Sequence, residues 1–193
     1  MKQMMKDTFV IFMITLISGL LLGGVYEITK APIAQQEARR KNEACQNVFS
    51  DAATFTALET EKEEGKAAAE VEGAYEALAA DGSLLGYVVE IVTHEGYNGD
   101  IQFSVGIRLD GTVNGISLLS IAETPGLGMQ AEDVIQPQFE GKTASVFEST
   151  KTGAVAEHQI DAISGATITT NAIVEGVNTG VAYFQTQLLG GGQ

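Results

Sequence analysis

The stretch LLGYVVEIVTHEGYNGDIQFSVGIRLDGTVNGISLLSI, residues 84–121, decides the fold of this 193-residue chain. Within it, runs rich in β-branched and aromatic residues are separated by GYNGD (96–100) and by Asp110-Gly111, which are strong hairpin signals. A further run, YEALAA (75–80), precedes it across the turn sequence Asp81-Gly82. The pattern predicts an antiparallel sheet of about four strands.

The chain changes character after these strands, at ETPGLG (Glu123 to Gly128). Proline and two glycines exclude regular structure there and expose backbone N–H groups, so a specially shaped loop is expected. A short helix around Ala131 to Ile135 and a last strand in HQIDAI (158–163) should follow. The longest soluble helix then places an apolar stripe on the sheet, formed by Ile173, Val174, Val177, Val181, Phe184 and Leu188. The soluble part is therefore predicted to be an α+β domain, an antiparallel sheet packed with helices.

The motif DAISGAT, Asp161 to Thr167, falls at the junction between the last strand and this helix. A helix N-terminus carries unpaired N–H groups and partial positive charge, which favours phosphate. Gly165 and Ala166 would let a bulky anion approach the backbone. The anion could also bind the hydroxyl groups of four residues, Ser164, Thr167, Thr169 and Thr170. The alternative is that serine and threonine only cap the helix.

An uncharged apolar run of 19 residues, Thr8 to Tyr26, lies near the N-terminus. At about 1.5 Å per residue it reaches roughly the ~30 Å of a bilayer core, so one transmembrane helix is predicted. A cleaved signal peptide is the alternative, because Lys2 and Lys6 form a basic flank. The apolar run is longer than the ~7–15 residues of a usual signal peptide, which favours a retained anchor.

Between the anchor and the sheet, the chain reads as a connecting helix followed by the acidic, alanine-rich stretch TALETEKEEGKAAAE (56–70). The helix would carry one apolar face made of Ala34, Ala38, Cys45, Val48 and Phe49. The acidic stretch has few large apolar residues and is expected to be a solvated helix or a flexible link. The expected organisation is a flank at 1–7, the transmembrane helix at 8–29, the connecting helix and linker at 30–72, the main soluble domain at 73–189 and a tail at 190–193.

Composition excludes several classes of function. The chain has 25 acidic and 11 basic residues, a net charge of -14 and a pI near 4.4, which argues against nucleic acid as a partner. Cys45 is the single cysteine, so no internal disulfide forms, and a small buried residue is a more ordinary interpretation of it than a redox thiol. No Cys/His cluster has the spacing of a zinc site, and no metal site is predicted.

Together these residues resemble a known family. Asp161 to Thr167 is similar to the flavinylation motif D-x-x-[ST]-G-A-[ST] of the FMN-binding domain family, and residues 96–128 resemble that family in their order of loop, strands and ETPGLG. With one N-terminal membrane helix, the pattern resembles the G-type subunits of Rnf electron-transport complexes. The related C-type subunits of the sodium-pumping NADH:quinone reductase share both motifs but are longer chains.

The resemblance implies covalent FMN in the domain at 73–189. A separate Mg2+-dependent flavin transferase would use FAD to join FMN to the hydroxyl of Thr167 through a phosphoester. Leu127 would offer apolar contact to the flavin ring, although a plain surface turn is the alternative for its loop. Asp161 would position the motif, help the transferase or simply form a turn. The resemblance places the remaining cofactor-binding residues at Ser164, Gly165, Ala166, Glu123, Thr124 and Gly126, and it leaves His94, Tyr97 and His158 unassigned.

By the same resemblance, the chain would relay electrons beside other membrane and peripheral subunits of an ion-translocating ferredoxin:NAD+ oxidoreductase. The family places the flavin domain on the extracytoplasmic side. The basic residues after the span, Lys30, Arg39, Arg40 and Lys41, instead favour the cytoplasm. Acidic residues are interspersed among them, so the extracytoplasmic side is expected. The alternative function is a non-redox membrane-tethered sensor or assembly domain that binds a small anion at the helix N-terminus.

Overall fold

The computed structural model describes residues 2–60, 68–143 and 145–190. Its helices are α1 (Lys2–Val48), α2 (Ala131–Val134) and α3 (Thr167–Tyr183), and its strands are β1 (Thr54–Leu58), β2 (Ala69–Leu78), β3 (Leu84–Thr93), β4 (Ile101–Arg108), β5 (Val113–Ser120), β6 (Glu148–Thr150) and β7 (Gln159–Asp161). Two 3-10 turns flank α2 at Gly128–Gln130 and Gln136–Phe139, and a π-helical turn, Phe184–Leu188, follows α3. The chain separates into two compact units, Met1–Lys41 and Asn42–Gln193.

The first unit consists of α1 residues, and the helix continues past the expected end of the span at residue 29 and through Pro32. In the described part of the chain, α1 is the one helix that is long and apolar enough to cross a membrane. Its apolar segment is entirely exposed. An uncovered apolar helix of this length is compatible with the expected membrane anchor. The helical face expected from Ala34 to Phe49 is buried only at its C-terminal end, since Ala34 and Ala38 are exposed.

The second unit is built on a five-stranded antiparallel sheet with the strand order β1-β2-β3-β4-β5. The four strands predicted from sequence are confirmed as β2 to β5, with β2 beginning earlier than expected. β1 and the first residues of β2 lie within residues 30–72, where the sequence suggested a connecting helix and linker. β1 is mostly exposed and is held by pairing with β2, so its apolar content gave little signal. The rest of the acidic stretch, residues 61–67, lies outside the described residues.

The two faces of the sheet carry separate apolar clusters. α3 covers one face and packs on Val89, Ile91, Phe103 and Val105. The end of α1 covers the other, where Cys45, Val48 and Phe49 join Ala77 and Val88. Side chains alternate between faces along a strand, so covering both faces buries the whole middle of β3 and β4. β3 accordingly carries apolar residues on both faces, Val88 on one and Val89 on the other, whereas β4 alternates apolar residues with Gln102, Ser104 and Gly106.

Glycines allow the end of α1 to lie directly on the sheet. A Cβ on Gly106 would lie 2.8 Å from Val48 Cβ, and a Cβ on Gly86 would lie 2.7 Å from Phe49 Cζ. Such contacts are shorter than side chains tolerate, so only glycine permits this approach of backbone and side chain. The Arg108 guanidinium also packs at this contact, 5.6 Å from the Phe49 ring centroid and 3.3 Å from the Asp51 carboxylate.

The last strand predicted from HQIDAI is confirmed as β7, but it does not join the main sheet. It pairs in parallel with β6, from Glu148↔Gln159 to Thr150↔Asp161. A three-residue parallel pair cannot be read from a single sequence, since β6 has no pattern of its own. β7 ends at Asp161 and α3 begins at Thr167, so the motif turn lies between them. Of the expected tail, residues 191–193 lie outside the described residues.

The packing of α3 on the sheet generates a paired prediction. A Cβ on Gly176 would lie 2.6 Å from Phe103 Cζ and 3.1 Å from Ile91 Cγ2, whereas a Cβ on Gly180 would meet nothing closer than 3.6 Å. Gly176→Ala should lower the free energy of unfolding by about 1–3 kcal/mol because it overpacks this contact. Gly180→Ala should raise it by about 0.5–1 kcal/mol because alanine is the better helix former.

Urea unfolding of the full chain in detergent, followed by tyrosine fluorescence, measures both variants. Equal stability of the two variants would contradict the close packing of α3 at Gly176.

Candidate flavin-attachment site

The turn between β7 and α3 is shaped by its own backbone. The Ala166 N–H donates to the Ile163 carbonyl at 3.0 Å, and Gly165 has φ +80°, a conformation that favours glycine. Thr170 fastens the turn from inside the helix: its buried hydroxyl accepts from the Ile163 N–H at 3.2 Å and donates to the Ala166 carbonyl at 3.0 Å. Thr170 therefore has a structural role, and its hydroxyl is already used.

The hydroxyls of Ser164 and Thr167 differ from that of Thr170. Ser164 is exposed, and Thr167, the first residue of α3, is half-buried. Among residues 2–60, 68–143 and 145–190, neither hydroxyl makes a hydrogen bond. The capping interpretation of these side chains therefore finds no support, because the residue before α3, Ala166, has no side-chain cap.

The first turn of α3 has the electrostatics of an anion site. The Thr170 N–H makes the first intrahelical bond, to Ala166 O at 3.0 Å, so the N–H groups of the three residues before it have no carbonyl partner within the helix. That turn contains no acidic residue, although the chain as a whole is strongly acidic. The unpaired N–H groups and partial positive charge of this turn can therefore bind a phosphate, although the Glu123 carboxylate lies close to Thr169 across Gly128.

The ETPGLG loop is a compact turn with a buried residue at each end and four exposed residues between them. The N–H groups of Leu127 and Met129 both donate to the Thr124 carbonyl, at 3.1 and 3.3 Å, and Gly126 has φ +76°. Glu123 is buried, whereas Thr124, Gly126 and Leu127 are exposed. The four predicted residues of this loop therefore split into an inner carboxylate and an outer surface.

The two motifs meet in space. A Cβ on Gly165 would lie 3.1 Å from Leu127 Cδ2, and a Cβ on Gly128 would lie 2.8 Å from Thr169 Oγ1 and 2.6 Å from Glu123 Cβ. The ETPGLG loop thus packs directly on the motif turn and on the first turn of α3. An apolar side chain, Leu127, lies beside the residues that precede Thr167, so one ligand with a phosphate and a flat ring could contact both motifs.

Asp161 supports the motif from its other side. Its Oδ1 accepts from the Ala154 N–H at 2.6 Å, and the Gln138 amide bonds both its backbone N–H and its carbonyl, at 2.7 and 3.1 Å. These contacts fit the interpretation in which Asp161 positions a turn. They fix the end of β7, and with it the start of the motif.

Sequence reasoning missed some residues that shape this site and gave others a different role. Gly128 ends the ETPGLG loop and was given no role, and Thr169 was expected to offer its hydroxyl to an anion but is buried beside Gly128. Thr170 was also expected to bind the anion, but its buried hydroxyl bonds the Ile163 N–H and the carbonyl four residues before it. No local pattern pointed to Gln138.

The chain carries the sequence signature of an FMN-binding domain, and its fold agrees with that class. Residues 96–182 match the family described as FMN-binding domain. The fold resembles the crystal structure of Shewanella oneidensis NqrC, with a TM-score of 0.51 and 23% identity over 72% of this chain and 70% of that one. That likeness supports the α+β architecture predicted from sequence.

Full-length relatives narrow the assignment. The G subunit of the Na+-translocating ferredoxin:NAD+ oxidoreductase complex of Acetobacterium woodii is 33% identical over 95% of this chain and 93% of its own length. The G subunit of the proton-translocating complex of Clostridium ljungdahlii is 32% identical over 91% and 92%. The chain belongs to the family of G subunits of ion-translocating Rnf-type oxidoreductase complexes.

Proposed function

We propose that this protein is a membrane-anchored electron carrier whose FMN is attached covalently to Thr167. In this role it relays electrons within an ion-translocating ferredoxin:NAD+ oxidoreductase complex, beside other membrane and peripheral subunits. The observation that carries the proposal is the juxtaposition of an unbonded hydroxyl, an uncapped helix N-terminus and Leu127 at one place. The relatives named as G subunits of such complexes support the assignment to the complex.

The residues present fit FMN as a tethered cofactor. Thr167 would hold the phosphate as an ester, and the first-turn N–H groups of α3 would offset its remaining charge. Gly165 is exposed and leaves room beside it, whereas Ala166 is buried in the apolar core, and Ser164 offers a second hydroxyl from the exposed side. When bound, the flavin supplies one- and two-electron redox chemistry that no side chain provides.

We also propose that attachment requires a separate flavin transferase that uses FAD and Mg2+. A phosphorus–oxygen bond to Thr167 Oγ would replace the pyrophosphate bond of FAD, AMP would leave, and the hydroxyl proton would pass to solvent. Thr124, Gly126 and Leu127 would line the ring side of the site, since they are exposed on the loop that packs on the motif turn. Glu123 would hold that loop from within.

The attachment proposal predicts the behaviour of three variants made with an active flavin transferase. Thr167→Ala should carry no covalent flavin, because its only acceptor oxygen is removed. Thr167→Ser should keep it, because the hydroxyl remains, and Ser164→Ala should also keep it. Intact-protein and peptide mass spectrometry, searching for FMN less one water on the Thr167 peptide, measures all three.

Covalent FMN on Thr167→Ala would sink the assignment. A parent chain that stays unmodified, while a control substrate of the transferase is modified, would instead favour the non-redox anion-binding domain.

We further propose that the soluble domain lies on the extracytoplasmic side of the membrane, as the family resemblance implies. Val155 suits a topology test because it is 92% exposed. Val155→Cys should react with a membrane-impermeant thiol reagent in intact cells, whereas Gln3→Cys, before the span, should react only after lysis. The parent chain serves as background, because Cys45 is buried and should stay unlabelled. The reverse labelling pattern would place the domain in the cytoplasm.

A further inference from the structure

The β3–β4 loop, residues 94–100, forms a closed element beside the ETPGLG loop. At its base, His94 Nδ1 and Asp100 Oδ1 lie 2.9 Å apart, and this hydrogen bond raises the pKa of the His94 imidazole. The backbone N–H of His94 donates to the Ala68 carbonyl at 3.0 Å, which connects this end of the loop to the residue preceding β2. The loop is therefore anchored to the sheet and has a defined path.

The tip of this loop contacts the start of the ETPGLG loop through Asn98. The Asn98 side-chain amide donates to the Ala122 carbonyl at 2.7 Å, and its backbone N–H donates to Glu123 Oε1 at 3.3 Å. The first of these hydrogen bonds is short and specific to the side chain. The second brings a buried carboxylate to the loop.

The side chain of Glu123 lies between the β3–β4 loop and Gly128 and contacts both. A Cβ on Gly96 would lie 2.9 Å from Glu123 Oε1, and a Cβ on Gly128 would lie 2.9 Å from Glu123 Oε2. One carboxylate oxygen thus faces the β3–β4 loop, and the other faces Gly128, which itself packs on Thr169 in α3. A continuous set of contacts leads from Asn98 through Glu123 to the first turn of α3, where Thr167 lies.

We infer that Asn98 is a positioning residue for the flavin, which sets the path of the ETPGLG loop by holding Ala122 and Glu123. The inference rests on the proposed function, because it concerns how Thr167 and Leu127 are presented to the flavin. The β3–β4 loop thereby has a role in positioning the ETPGLG loop that its sequence alone does not predict. The Asn98 side chain acts through the Ala122 carbonyl, next to Glu123, and does not itself touch the attachment point.

The test compares variants of the full chain with purified flavin transferase, FAD and Mg2+. Asn98→Asp keeps the size of the side chain but places a carboxylate oxygen against the Ala122 carbonyl, and Asn98→Ala only removes the donor. The initial rate of FMN incorporation at saturating chain concentration should fall by about fivefold for Asn98→Ala, the factor of one ordinary hydrogen bond, and further for Asn98→Asp. Asn47→Asp is the matched control, because Asn47 donates to Ser117 Oγ at 3.3 Å on the face of the sheet opposite α3.

Two readouts separate positioning from a loss of stability. The thermal midpoint of each variant shows that it is folded, and the fluorescence of the attached flavin, measured after complete incorporation, should differ from the parent in both Asn98 variants and not in Asn47→Asp. Parent-like rates and fluorescence in both Asn98 variants would overturn the inference while leaving the proposed function intact. A parent chain that takes up no FMN would instead overturn the proposed function.

Discussion

The proposed flavin site depends on the close packing of the Gly128 backbone against Glu123 and against Thr169 in the first turn of α3. A Cβ at this position would come within 2.6–2.9 Å of these side chains. Because close-packed atoms cannot absorb such overlap without moving, the loop lies at a fixed distance from the helix. The positions of Leu127 and of the motif turn follow from that distance, since Leu127 packs against the turn at Gly165.

The threonines in and after the motif differ in their burial and in their hydrogen bonds. Thr170 closes the turn with two hydrogen bonds, and Thr169 is buried against the loop. Thr167 alone combines the first position of α3 with a half-buried, unbonded hydroxyl. A chain of net charge -14 would ordinarily repel a phosphate, but the first turn of α3 contains no carboxylate, and the partial charge of the helix acts only over such short range.

Local patterns predicted much of this fold. β-Branched runs and Asp-Gly turns located β2 to β5, and the stripe from Ile173 to Leu188 located α3, because these signals reflect burial and turn geometry directly. β1 and the β6–β7 pairing escaped prediction, since their stability comes from partners distant in sequence. At the site, the motif residues were recognisable from their types and order. The contacts of Gly128, Gln138 and Asn98 were not, because they join segments that only the folded chain brings together.

The most direct test of this arrangement is the rate of covalent FMN incorporation into Gly128→Ala, measured on the full chain with purified flavin transferase and compared with Met129→Ala. Met129 is exposed directly after the same loop, so its truncation should leave the rate unchanged. The methyl group added at Gly128 should displace the loop from α3 and lower the rate by about fivefold or more, the factor that corresponds to ~1–3 kcal/mol of overpacking. A folded Gly128→Ala chain that incorporates FMN as fast as the parent would contradict the claim that the two motifs form a single site.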